Sequence, residues 1–135
     1  MRSGRGARRE RAGPRDFLLT PLACSLAGHE GLVRLEPGSL IEQIIGAPTT
    51  LEAYICSYGL NESYKQTLAA HGLVFSGHAD DGAVRVAELP GHTFFLATMF
   101  QPELAGDGRR PHPVVSAFAT AVTRRHASRQ AAHAR

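Results

Sequence analysis

Short apolar runs alternate with polar turns along most of the chain, which predicts several short strands. Residues 32–35 alternate apolar and polar side chains with a period of two, as in a strand with one buried face. Residues 73–76 and 83–89 are rich in strand-forming residues, and an Asp-Gly pair between them predicts a hairpin turn. Residues 94–100 are almost continuously apolar, so we expect a strand that is covered on both faces.

Three helices are predicted from the residues at their ends. Ser39 and Glu42 match a capping box, and Gly46 is expected to end the short helix that they begin. Asn61 caps a second helix that stops at Gly72, after a predicted strand at residues 51–58. A last helix follows the prolines near residue 112. Its apolar positions share one face that is expected to be buried: Val114, Phe118, Ala121 and Val122.

The composition fits one domain outside the membrane. The chain has 135 residues, of which 43% are apolar, so it can bury a hydrophobic core. No apolar run reaches the roughly 20 residues of a membrane span. The first residues are charged and lack the apolar stretch of an export signal, so we expect a cytoplasmic protein. Two cysteines are too few for a disulfide scaffold, so both are expected to be free thiols.

Positive charge is concentrated at the two ends of the chain. Residues 1–15 contain six Arg and one Glu, residues 124–135 contain four Arg and no acid, and the residues between them carry a net charge of −6. Arg-rich ends can bind phosphates, so weak nucleic-acid binding is one hypothesis for these termini. The first segment has no aromatic residue to stack on bases. We therefore expect a disordered arm there, and no nucleic-acid partner.

Four motifs occur in the order found in one enzyme family. They are GLVFSG at residues 72–77, ELPGHTFF at residues 88–95, MFQPE at residues 99–103 and RPHP at residues 110–113. Together they resemble the C-terminal part of class I glutamine amidotransferase domains, and most of all the glutaminase domain of CTP synthases. The resemblance implies a partial three-layer, flavodoxin-like α/β fold that comprises only the C-terminal half of such a domain.

The resemblance also suggests how the chain is organised. We expect a disordered Arg-rich arm at residues 1–15, a partial amidotransferase-like domain at residues 16–123 and a basic tail at residues 124–135. Half of such a domain would leave a sheet edge and an apolar face uncovered. Self-association or a protein partner at that edge is therefore expected.

The catalytic groups of this family are only partly matched. Glutamine hydrolysis in the family uses a Cys nucleophile, a His as general base and a carboxylate that orients the His. Glu103 matches the carboxylate, but Gln101 occupies the position of the His and cannot accept a proton near neutral pH. The nucleophile is absent, because Cys24 and Cys56 lack flanking glycines and neither precedes a predicted helix.

Other ligand sites are not expected. The stretch from Glu52 to Asn61 lacks the basic residues that the family has there, so glutamine recognition is not expected to be retained. No cofactor is predicted, and no metal site, because the histidines lack companions at ligand spacing. His112 is predicted to be a loop histidine outside the catalytic group.

The sequence thus predicts a truncated, non-catalytic relative of the CTP synthase glutaminase domain. The reaction of that family hydrolyses glutamine and supplies ammonia for the conversion of UTP to CTP. One alternative is a fragment of a longer active amidotransferase or amide hydrolase, whose Cys-bearing half lies upstream or on another chain. The other alternative is weak nucleic-acid binding through the Arg-rich termini.

Overall fold

The computed structural model describes residues 17–105 and 108–133, which contain seven strands and three α-helices. The predicted arm at residues 1–15 lies outside the described residues. The strands are β1 (Leu19–Pro21), β2 (His29–Leu35), β3 (Thr49–Tyr54), β4 (Tyr58–Leu60), β5 (Val74–His78), β6 (Val84–Glu88) and β7 (Leu96–Thr98). The helices are α1 (Leu40–Ile45), α2 (Lys65–Ala70) and α3 (Pro113–His133), with single 3-10 turns at Glu62–Tyr64 and Pro102–Ala105.

Five of the strands form one antiparallel sheet in the order β3-β2-β5-β6-β7, and β1 pairs with β4 in a separate two-stranded sheet. The predicted hairpin is β5–β6, which contains a register irregularity between Phe75 and Gly77. Gly77 packs closely there, because a Cβ at this position would lie 2.6 Å from a methyl group of Val86. The sheet is therefore built from neighbouring antiparallel strands, and a glycine allows its central strands to approach closely.

The hydrophobic core lies where α1 and the first turn of α3 meet the sheet. Its buried members come from four strands or strand ends and from both helices: Val33, Leu35, Ile41, Tyr54, Val86, Phe100 and Val114. Tyr54 and Phe100 meet edge to face, with their ring centroids 6.4 Å apart. Since this arrangement suits the charge distribution of aromatic rings, the pair adds to the apolar burial.

Helix α1 begins and ends as the sequence predicts. The Ser39 hydroxyl accepts a hydrogen bond from the backbone N–H of Glu42 at 3.2 Å, and Gly46 ends the helix with φ +75°. The Glu42 carboxylate accepts a hydrogen bond from the N–H of Gly38 at 2.6 Å. Because the carboxylate of Glu88 on β6 accepts the N–H groups of residues 40 and 41 at 3.0 and 2.8 Å, the helix start is also held by the sheet.

Three predicted elements differ in detail. The strand predicted at residues 51–58 is divided into β3 and β4, and the helix predicted from Asn61 begins as a 3-10 turn before α2. The apolar run at residues 94–100 forms only the three residues of β7. The prediction that both of its faces are covered is wrong, because Ala97 is exposed and Phe95 keeps 40% of its surface accessible.

The last helix is longer and less buried than predicted. Val114 is buried and Ala121 is half-buried, but Phe118 and Val122 are 54% and 51% exposed, so the predicted buried face is fully buried only at its first turn. The helix continues through residues 124–133, which the sequence analysis assigned to a basic tail. Within the described ranges, no helix combines the length and the apolar character needed to cross a bilayer.

Candidate functional site

The region that resembles the family's catalytic loop directly follows β7. Phe100 is almost fully buried and fixes the chain in the core, and Gln101 comes next. The 3-10 turn at Pro102–Ala105 then begins, with the N–H of Leu104 bonded to the carbonyl oxygen of Gln101 at 3.0 Å. Glu103 is exposed on this turn. The structure thus places Gln101 and Glu103 on one short loop, with Gln101 turned inward and Glu103 outward.

The amide of Gln101 links this loop to the end of β3. Its side-chain oxygen accepts the backbone N–H of Ile55 at 2.7 Å, and its nitrogen donates to the carbonyl of Met99 at 3.5 Å. Its own backbone N–H donates to the carbonyl of Ala53 at 3.3 Å. Since a carboxamide neither gains nor loses a proton near neutral pH, this group can position backbone but cannot act as a general base.

The two cysteines lie in connecting segments. Cys24 is exposed in the loop between β1 and β2, and Cys56 is half-buried between β3 and β4. The sulfur of Cys56 accepts the N–H of Tyr58 at 3.4 Å and lies 3.8 Å from its carbonyl oxygen. Neither thiol sits at the start of a helix, where backbone N–H groups could form an oxyanion hole.

One proximity was not visible from the sequence. Gln101 bonds to the backbone of Ile55, the residue directly before Cys56. The structure therefore brings Gln101, the predicted counterpart of the family's His, to the same strand end as one of the two thiols. The two positions are distant in the sequence, because 44 residues lie between Cys56 and Gln101.

Glu52 and His112 form a buried, hydrogen-bonded pair. The ring Nε2 lies 3.0 and 3.1 Å from the two carboxylate oxygens, and Thr50 donates a further hydrogen bond to Glu52 at 2.8 Å. The other ring nitrogen of His112, Nδ1, accepts the N–H of Val114 at 3.1 Å. Nδ1 is thus the acceptor and Nε2–H the donor, which fits a neutral imidazole beside a carboxylate.

This pair joins β3 to the start of α3. His112 lies in the loop before α3, as predicted, and its side chain is buried there against Glu52. Its ring also lies 6.0 Å from that of Phe100, at the base of the Gln101 loop. Both Glu52 and His112 occur in segments that match the family, which was the signal that could have indicated a shared structural role.

A second buried polar contact lies on the strands beside this site. Arg85 places its guanidinium 5.6 Å from the ring centroid of Tyr54, within the range of a cation–π interaction. Burial raises the pKa of the Tyr54 phenol above its ordinary value, and the nearby Arg85 charge acts in the opposite direction. The removal of water is the stronger effect, so this tyrosine is expected to stay protonated.

The described residues do not include a group of three or more His, Cys, Asp or Glu side chains that could hold a metal ion. His78 lies 3.4 Å from the carboxylate of Glu36, and His71 hydrogen-bonds to the carbonyl of Thr67 at 2.8 Å. These histidines therefore have local structural contacts.

The chain is similar to parts of several CTP synthases. It is 41% identical over 86 residues to the enzyme of Rubrobacter xylanophilus and 42% identical over 97 residues to that of Pelotomaculum thermopropionicum. The matches cover 63% and 71% of this chain but only 16% and 18% of those proteins. No protein-family model matches the chain.

A solved structure shows the same fold. It is the glutaminase domain of the Trypanosoma brucei CTP synthase with bound acivicin, with a TM-score of 0.72 and 23% sequence identity. The superposition covers 79% of this chain and 46% of the solved one. The predicted likeness to the class I amidotransferase fold is confirmed, over less than half of the solved domain.

Proposed function

Because this chain is related to CTP synthases and has the fold of their glutaminase domain, we propose that it is a non-catalytic relative of that domain and acts as a binding module. The geometry of Gln101 carries the proposal. In the place where the resemblance calls for a proton-accepting His, the chain has an amide that is engaged by the backbone of Ile55 and Met99. Such a group holds two strand ends together and leaves no base for a nucleophile.

The surroundings of Gln101 agree with this proposal. Glu103, the counterpart of the orienting carboxylate, is exposed and lies two residues after Gln101, which has no imidazole to orient. Cys56 is near the same strand end, but its sulfur is occupied by the backbone of Tyr58. The thiolate is the nucleophilic form of cysteine, and the amide of Gln101 cannot accept a proton from a thiol.

A second candidate rests on the coverage of the solved domain. Because 46% of that domain is matched, a further polypeptide segment could supply a nucleophile and an oxyanion hole, and the assembly would then hydrolyse glutamine or another amide. This candidate needs a base other than Gln101. Amide hydrolysis that appears only when such a segment is added to the chain would support this second candidate.

Glutamate release from glutamine is the decisive assay for the main proposal. We expect none from the purified chain, and none from Gln101→His, since a His alone does not create a nucleophile at a helix start. Gln101→Ala serves as the structural control, and circular dichroism checks that all variants fold. Release by Gln101→His above that of Gln101→Ala would refute the proposal. If the double variant Gln101→His with Cys56→Ala then released no glutamate, Cys56 would be identified as the nucleophile.

A further inference from the structure

The exposed face of α3 carries large apolar side chains. Val115, Phe118 and Val122 are spaced three and four residues apart, so they form one stripe along the helix. All three are large apolar side chains that keep between 43% and 54% of their surface exposed. We call these three residues the α3 stripe. Such spacing is typical of a helix face that is packed against another element.

The α3 stripe borders a shallow groove rather than a flat surface. Phe94, which follows β6, packs against Phe118 with ring centroids 5.5 Å apart. Together with His92, Thr93, Val122 and Arg125, this aromatic pair lines a depression of about 280 Å³. A groove with an aromatic floor offers the shape that an amphipathic helix fills with its apolar side chains.

The positive charge beside the stripe determines which kind of helix can dock on it. Residues 113–133 contain no acidic residue, and Arg125 and Arg129 continue the face of the stripe, three and seven residues after Val122. The guanidinium of Arg125 is held at the groove by a 2.7 Å hydrogen bond to the hydroxyl of Thr93. A second α3 would bring like charges together, and the Arg-rich residues 1–15 would do the same.

We propose that the α3 stripe is the docking surface for an amphipathic helix of a partner protein, one whose apolar face is flanked by Asp or Glu. The inference rests on the proposed function as a binding module and names the class of its partner. Val115, Phe118 and Val122 supply the apolar contact. Arg125 and Arg129 pair with the carboxylates and set the specificity against basic helices.

Two designed peptides test the proposal directly. Each is a fluorescein-labelled helix of about 18 residues with Leu at spacings of three and four, one flanked by Glu and the other by Lys. We expect saturable binding of the Glu peptide by fluorescence anisotropy, and binding of the Lys peptide at least about tenfold weaker. Because both peptides present the same leucines, the difference reports the arginines.

Matched variants locate the binding surface. Phe118→Asp is expected to weaken binding of the Glu peptide by about tenfold or more, as is the pair Arg125→Glu and Arg129→Glu. Leu51→Asp is the apolar control, since Leu51 on β3 is 62% exposed and lies outside α3. Arg34→Glu is the charge control on β2. If Phe118→Asp melts early, Val122→Asp replaces it.

Four results would overturn the proposal. They are no saturable binding of the Glu peptide, equal binding of both peptides, equal loss in Leu51→Asp and Phe118→Asp, and a dimer in sedimentation that Phe118→Asp dissociates. If a single-stranded oligonucleotide bound through the arginines and Phe118→Asp left that binding unchanged, the surface would be a nucleic-acid site instead. None of these changes the glutamate assay, so a failure here is distinct from a failure of the proposed function.

Discussion

The two ends of α3 differ although they belong to one continuous helix. At its start, Val114 is buried and its N–H is bonded to His112, which is in turn bonded to Glu52 on β3. One turn later Phe118 is half exposed, and from Val122 onward every described residue of the helix is exposed. Val114 and Phe118 lie four residues apart on one face of the helix, and Val122 continues the same spacing. The comparison shows that apolar spacing makes a helix face suitable for burial. The burial itself requires a neighbouring element that packs against that face.

Removing Glu52 should have the largest effect, because it leaves the buried Nε2–H of His112 without an acceptor. We expect Glu52→Ala to lower the free energy of unfolding by about 3 kcal/mol in urea denaturation. Asp80→Ala is the exposed control, because Asp80 forms a surface ion pair with Arg34 at 2.7 Å. That pair should contribute less than about 1 kcal/mol. Similar losses in both variants would remove the distinction between the anchored start of α3 and the surface.

Truncating one apolar side chain at each end of α3 gives an intermediate effect. Val114→Ala removes two buried methyl groups and should cost about 1.5 kcal/mol. Phe118→Ala loses the contact with Phe94 but little burial, and Ala favours the helix, so a loss of about 0.5 kcal/mol is expected. Urea unfolding of both variants measures the difference. If Phe118→Ala costs as much as Val114→Ala, the outer half of α3 is packed in solution.

The smallest effect concerns Tyr54 in the core beside Phe100. Burial raises the pKa of its phenol, so the folded state keeps a proton that the unfolded state has already lost. Its contribution to stability is complete below about pH 10, the ordinary pKa of tyrosine, and is lost as the pH rises through the raised value. Ultraviolet titration should show one of the three tyrosines ionising late, and Tyr54→Phe should abolish that step. A late step that persists in Tyr54→Phe would contradict this assignment.

The sequence predicted local features best where a few neighbouring residues decide the conformation. Ser39 and Gly46 bound α1 as expected, because a side-chain cap and a positive φ are local requirements. The β5–β6 hairpin follows from its turn in the same way. The identity of Gln101 alone also shows that this side chain cannot act as a general base, since a carboxamide has no suitable pKa in any environment.

Side-chain partners from distant segments were beyond local reasoning. The Glu88 carboxylate caps α1 across 47 residues, and His112 meets Glu52 across 60. The nearness of Gln101 to the residue before Cys56 also depends on how β3 and the loop after β7 are brought together.

What the sequence determined by itself is therefore the periodicity, the ends of the elements and the chemistry that each side chain can perform. Tertiary structure alone decided which apolar faces are covered and which polar groups are paired. Burial and hydrogen bonding require a second surface at contact distance, and the sequence of one segment does not contain that surface. The α3 stripe is the clearest instance, because its pattern matches a buried face and its surroundings leave it open.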